Sequence, residues 1–415
     1  MLNRGLLLAG GKAGGNQTVG AAGGQGFGVG VYGGDPSDLT AMGLTPMDGC
    51  DDPSSDNYGN YVHTNGSIMC FIPAFCYRVG NLAAPSYARD KENALEIRDA
   101  SKGEGDGWIL HRAFIDGGEQ KLGFFIDKYI CSKDSTGKLA VSVKNGDNIS
   151  LSTSYANSSS MPNCVGKAID AITLSRARGD GFSLTTGFQW SAIAMLSLAH
   201  GQAATSNQFC GWYDANHVNN YPKGNNRSLK DWDETSVTWT AHREYSSIGK
   251  TGSGTPFVKT THNGQACGVT DVNGSQWQVT LGFMNPSAGN YKVFKDNVKA
   301  RDITGNNVLN DYLYNPFSLS ATDNTSYFWG ANAFYSDASG INRALCGLMP
   351  EILQGSRHNL FGRDYFYMRS YPTSVLLVAG SYADGSNAGV WARSSYGSWN
   401  DSYGSCSFRV AGYAS

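Results

Sequence analysis

The chain lacks most of the marks that commit a sequence to chemistry. Its seven histidines are isolated: there is no HExxH, no histidine beside a cysteine at metal-ligand spacing, and no GxSxG elbow. Nine cysteines, at positions 50, 70, 76, 131, 164, 210, 267, 346 and 406, include no CxxC pair. An odd, scattered set reads as free thiols in apolar sites. Charge is scarce, at 16% of 415 residues with a net charge of −2, which leaves no basic face for nucleic acid. No apolar run approaches the ~20 residues that span a bilayer, so membrane insertion is not expected. Leu6-Leu7-Leu8-Ala9 after Arg4 is shorter than the ~7–15-residue core of a secretion signal, and no signal is read there.

Other chemistries fail on context. Gly26, Gly28 and Gly30 have GxGxxG-like spacing, but no strand precedes them and no helix follows, so nucleotide binding is dismissed. Asp231-Trp232-Asp233-Glu234 offers oxygens to Ca²⁺ without the DxDxDG spacing of a calcium loop. Ca²⁺ is therefore possible but indicated by no motif, and the stretch reads as a solvated acidic loop. Paired carboxylates for glycoside hydrolysis need only meet in space, and nothing singles out a pair. The expectation is a protein that is not an enzyme, with no catalytic residues and no cofactor.

What the chain has is glycine, 53 residues of it, and 12% aromatics. That profile suits a loop-rich, β-containing protein held by aromatic packing. Residues 1–65 are Gly-rich, then turn-rich and acidic, and read as a small attachment or oligomerisation segment. From Ser67 the texture is globular. Ile68–Val79 is a strand candidate broken by Pro73, which places it at an edge or on a bulge. Trp108–Leu110 and Leu122–Ile130 follow as strands, and 133–160 as a Ser/Asn/Gly-rich loop. Val165, Ala168, Ile169 and Ile172 fall at i, i+3, i+4 and i+7, an amphipathic helix ending near Gly179. A second helix starts at Thr186, with Gln189 completing a capping box, carries Trp190, Ile193, Ala194 and Leu198, and stops at Gly201. Beyond it the chain is turn-like and must be held by Trp212, Trp232, Trp239, Trp277, Phe283 and Trp329.

The C-terminal window 380–406 stands apart. Seven Ser, five Gly, three Tyr and two each of Asn, Asp and Trp occupy 21 of its 27 positions, and Lys, Glu, Leu and Ile are absent. Such a segment has too few aliphatic side chains to form a core. Its composition is that of a recognition surface, where Tyr and Trp give rigid contact area and Ser, Gly and Asn give adaptable hydrogen bonds. Apolar runs frame it, Val375–Val378 before and Phe408–Val410 after, mounting it between strands.

Several stretches resemble known families. GFSLTTGFQWSAIAMLSLAHG at 181–201 resembles the G-x-x-L-P-T-x-x-x-W-E-x-A segment of formylglycine-generating-enzyme-like domains, a branch of the C-type lectin fold, with Thr186 and Trp190 in place and Thr185 where proline is usual. FFIDKYICS at 124–132 is similar to that family's F-x-I-D-K-Y-E-V-T strand. GVTDVNGSQWQVTLGF at 268–283 is similar to its G-x-x-D-x-x-G-N-V-W-E-W stretch through Asp271, Gly274 and Trp277. The end of the chain is similar to R-G-G-S-W…R…G-F-R through Gly380, Ser381, Arg393, Phe408 and Arg409. The redox cysteines of the true enzymes are missing from this last stretch, as are the His-rich iron sites of related sulfoxide synthases, so the resemblance implies the fold without the oxidase. The 380–406 window also resembles the variable region of retroelement-diversified proteins, including phage tropism determinants. Template adenines are randomised in those systems, so AAC codons become NNC. Ser381, Tyr382, Asp384, Ser394, Ser395, Tyr396, Ser398, Asn400, Ser402, Tyr403 and Ser405 all fall within the NNC set, while Trp391 and Trp399 fall outside it. The N-terminal GFGVGVYGGDPSDLTAMGLTPM and SIMCFIPAFCYRVG resemble phage tail-fibre proteins.

The expected architecture is thus α+β: a C-type-lectin-like (formylglycine-generating-enzyme-like) domain over 66–415 with long ordered loops, behind an attachment segment at 1–65. These resemblances imply a virion protein, made in the host cytoplasm, at the tip of a phage tail fibre. It would contact tail or fibre proteins through its N-terminus, form a homotrimer, and bind a host cell-surface receptor, protein or glycan, through 381–405. Tyr382, Tyr396, Trp399 and Tyr403 are the expected anchors, with Ser381, Asp384, Ser394, Ser395, Ser398, Asn400, Ser402 and Ser405 tuning hydrogen bonds. Trp391, Arg393, Phe408 and Arg409 are expected to be structural. The alternatives are a fixed-specificity glycan-binding module, an oxidase-like relative and a polysaccharide depolymerase.

Overall fold

A computed structural model describes residues 17–154, 161–162, 164–287, 290–314, 323–330, 334, 346–350 and 355–414. Arg4 and the run 6–9 lie outside the described residues, as do 155–160 of the Ser/Asn/Gly-rich loop. Among the described residues no helix is long and apolar enough to cross a membrane.

Two six-stranded sheets organise the α+β chain. The first is antiparallel and runs, edge to edge, Leu44–Pro46, Asn60–His63, Ile68–Pro73, Gly123–Asp127, Val410–Gly412 and Phe182–Leu184. Nearly every residue of Ile68–Pro73 and Gly123–Asp127 is buried, so their apolar runs are continuous where a one-faced strand would alternate. The strand over Ile68–Val79 expected at an edge is central. Pro73 is accommodated because it is the last residue of its strand, and after Ala74 the chain turns into Phe75–Val79, which belongs to another sheet.

The boundary expected at residue 65 falls inside this sheet. Asn60–His63 pairs with Ile68–Pro73, and Val19, Phe27, Val29 and Tyr32 enter the common core. Residues 17–65 are therefore built into the body. Their glycines serve close approach: a Cβ on Gly59 would sit 2.7 Å from the Gly30 carbonyl oxygen.

Both helices are present, with one start displaced. The first occupies Asp170–Arg176, because the Asp170 carboxylate accepts N–H bonds from Val165 and Lys167 and folds the preceding residues into a turn, leaving Val165 exposed. The second spans Gly187–Ala203 under the expected capping box: Thr186 Oγ1 accepts from Gln189 N at 3.1 Å, and Gln189 Oε1 from Thr186 N at 2.8 Å. It carries no single apolar stripe, since all but its last residue are buried. Small residues permit this. A Cβ on Gly201 would lie 2.9 Å from the Asn220 carbonyl oxygen.

The loops after Ala203 are held by buried aromatics, as expected of Trp212, Trp239, Trp277, Phe283 and Trp329, but Trp232 is 58% exposed. All nine cysteines are free and buried. His111, His200 and His262 are also buried, and desolvation lowers their pKa to about 3, 4 and 3. Each stays neutral when folded, whereas an unfolded histidine takes up a proton near pH 6.5. Their stabilising contribution is therefore complete above pH 6.5 and is lost as the pH falls below it. His262→Gln should remove about 2 kcal/mol from the stability difference between pH 7 and pH 5, measured by urea unfolding. Equal pH slopes for the two chains would contradict this.

Candidate functional site

The window 380–406 is woven into the second sheet. That sheet runs Thr325–Phe328, Tyr365–Met368, Arg393–Ser394, Leu376–Val378, Trp277–Thr280 and Cys406–Ser407. Arg393–Ser394 lies inside it, parallel to Phe366–Tyr367 and antiparallel to Leu377–Val378. Main-chain bonds fix the remainder: Tyr382 N to Ser275 O, Trp277 N to Ser405 O, Tyr403 N to Leu151 O, and Leu151 N to Cys406 O. A backbone held this way does not depend on which polar side chains it carries.

Weaving divides the expected site residues into two groups. Ser381, Ser394, Ser395, Ser398 and Trp399 are buried, which corrects their assignment to the binding surface. Ser395 Oγ donates to the Arg369 carbonyl at 2.7 Å and accepts from Arg369 N at 2.9 Å. Ser398 Oγ bonds Thr373 Oγ1, and Ser381 donates twice to Asp384. Trp399, expected as an anchor, is 1% exposed, and its carbonyl accepts from Ile169 N at the start of the first helix. Ser394 is buried by its place in a strand inside the sheet and the others in the segments beside that strand, where short hydroxyls are tolerated because they find hydrogen-bond partners.

The other group faces outward: Asn400 and Ser402 are exposed, Tyr396 is 38% exposed, and Tyr382, Asp384, Tyr403 and Ser405 are half-buried. Tyr396 is the centre of a ring cluster, with Tyr367 at 5.9 Å, Tyr403 at 6.3 Å and Tyr371 at 6.4 Å between centroids. The Arg369 guanidinium lies 4.7 Å from the Tyr396 centroid and 5.0 Å from that of Tyr371. Burial and the bonded Asp401 carboxylate push the Tyr403 phenol up, so it stays a hydrogen-bond donor.

Tyr365, Tyr367, Arg369 and Tyr371 were missed by reading the C-terminal window alone. Their signal is present in YFYMRSY, where they recur every second residue while Phe366 and Met368 point into the core. Of the four, Tyr365 is itself buried and bonds Asp384, so the outward face is Tyr367, Arg369 and Tyr371. A second patch lies beside the Gly385–Asn387 turn. Arg357 donates to Ser386 Oγ and Asn387 Oδ1, and the exposed Trp232 ring packs over Gly385. The acidic loop expected to be solvated is largely engaged. Asp231 is buried and accepts N–H bonds from Gly224, Asp233 and Glu234, Asp233 accepts from Tyr221, and Glu234 pairs with Lys259.

The residues expected to be structural are all buried. Trp329, Phe361 and Phe334 pack around Trp391, whose carbonyl accepts from the Trp329 indole. Arg393 donates to the carbonyls of Val390 and Ala392 beneath this cluster.

No protein-family profile matches the chain, and no curated protein matches it. Among solved structures it is similar to a Major Tropism Determinant U1 variant, at 12% identity and a TM-score of 0.30, and to the I1 variant, at 13% and 0.29. In both cases the match covers 83% of this chain and 63% of the other.

Trp399→Ala should cost about 3–5 kcal/mol of stability, because it empties a fully packed site. Tyr396→Ala should stay within about 1 kcal/mol of the parent chain. Thermal unfolding of the two variants checks this, and a reversed order would mean that the window does not sit in the sheet as described.

Proposed function

We propose that this chain is a receptor-binding protein at the tip of a phage tail fibre, adhering to a host cell surface through the face around Tyr396. The observation that supports this best is a division of labour within one segment. Backbone bonds and buried Trp391, Trp399 and Arg393 hold 380–406, while Tyr396, Asn400, Ser402 and Tyr403 project outward beside Tyr367 and Tyr371. Exposed positions can then vary without loss of the fold, as the resemblance to retroelement-diversified variable regions implies. Tyrosine and arginine are the side chains enriched where binding energy concentrates.

Assembly as a homotrimer and attachment through the N-terminus belong to the same proposal. Three copies would raise the avidity of a weak single site by ~10²–10⁴. The test is adhesion of the purified chain to host cells. Tyr396→Ala and Tyr403→Ala should each weaken binding by ~2 kcal/mol or more with folding intact. Substitutions at Asn400 and Ser402 should change which cells are bound. Undiminished adhesion of both tyrosine variants would overturn the reading.

A further inference from the structure

Among the described residues Arg369 is the one cation against the tyrosine cluster, and its guanidinium makes no hydrogen bond or ion pair with any of them. Arg357, in the second patch, contrasts with it, since both of its terminal nitrogens are bonded to Ser386 and Asn387. Arg369 is half-buried and held from two sides, by Tyr371 and by Tyr396. Its backbone is clamped as well, since Ser395 Oγ bonds both its N–H and its carbonyl. A long, flexible side chain is thereby fixed in place with its donors unclaimed by any described residue. Holding it this way removes most of the entropy that an arginine otherwise loses on binding.

We infer that Arg369 is a carboxylate-binding residue, and that the partner of this face presents an Asp or Glu side chain on a protein surface. The inference rests on the receptor-binding reading and names the chemistry of the partner. A planar guanidinium fits a carboxylate in a two-pronged hydrogen-bonded pair. The surroundings narrow the anion further. Asp401 and Asp323 lie close enough to act on the Tyr371 phenol, which partial burial raises, Arg369 lowers, and Tyr396 and both carboxylates raise again. Asp323 also accepts from Ser370 N and Oγ, next to Arg369 in the chain. A polyanion, such as a phosphate-rich or sulfated polymer, would bring many charges against these carboxylates, whereas a single carboxylate meets the guanidinium alone.

The rings also disfavour a sugar. Stacking of a pyranose needs a bare aromatic face, but Tyr396 is surrounded by Arg369 and by three rings inclined to it at 56–81°.

The test uses the whole chain and a small probe. N-acetyl-glutamate α-amide carries one carboxylate, and N-acetyl-glutamine α-amide is its neutral counterpart. The carboxylate probe should shift one arginine Nε–H NMR signal saturably, with an affinity that falls as salt rises. The neutral probe should not. Arg369→Met should abolish the response, and Arg369→Lys should weaken it roughly tenfold, because an ammonium does not form the two-pronged pair. A response that survives in Arg369→Met, or equal responses to both probes, overturns the inference.

Host-cell adhesion separates the two readings. Adhesion that depends on Arg369 and is removed by protease treatment of the cells supports an acidic protein partner. Adhesion removed by periodate and spared by protease replaces that partner with an acidic glycan and overturns this part. If Arg369→Met adheres like the parent chain while Tyr396→Ala does not, the receptor reading stands and the carboxylate site falls. If the probe binds and the chain adheres to no host cell, the site stands and the receptor reading falls.

Discussion

The buried guanidinium of Arg409 ties together segments that also meet through strand pairing. It donates to the carbonyls of Asp127, Lys128, Thr270 and Asp271 and to the side chain of Gln278, and its own carbonyl accepts from Thr185 N and Oγ1. Asp127 reinforces the junction by pairing with Arg178 and accepting from Val410 N. A charge removed from water this completely is sustained only by such a set of partners, and removing any large part of them leaves it uncompensated. Here the last strand of the first sheet, the start of the long helix and the strand Trp277–Thr280 of the second sheet meet at one residue.

A binding surface mounted this way gains rigidity from below. The window 380–406 leaves the strand Leu376–Val378 through Ala379 and Gly380, both with positive φ, and a Cβ on Gly380 would lie 2.5 Å from that of Ala388. It returns through a strand inside the sheet and leaves again at Cys406–Ser407. The tyrosines on its outer side are thus presented in fixed relation to those of Tyr365–Met368, and little conformational entropy remains to be lost when a partner binds. Two χ angles per tyrosine add to the same economy of motion.

Much of the scaffold was legible before the fold was known. Thr186 and Gln189 announced a helix start because a capping box is a local arrangement of four residues. Asp127, Asp271, Trp277 and Arg409, picked out by family resemblance, prove to be hydrogen-bond hubs or buried rings. The place of residues 17–65 was not legible, because a glycine-rich stretch shows no periodicity whether it hangs free or packs tightly. The start of the first helix was also misplaced, since the Asp170 carboxylate outcompetes a helical turn for the N–H groups of Val165 and Lys167.

For the candidate site the division is physical. Composition by itself determined that 380–406 is a polar, aromatic segment unable to form a core and framed by strands, because those are properties of residue type and order. Only the tertiary structure decided which of its side chains reach solvent. Ser394 and Ser395 are chemically no different from Ser402, yet the first two are buried and the third is exposed. Burial is set by neighbours from distant parts of the chain, and so is the meeting of Arg369 with Tyr396, which sequence separation conceals and strand pairing brings about.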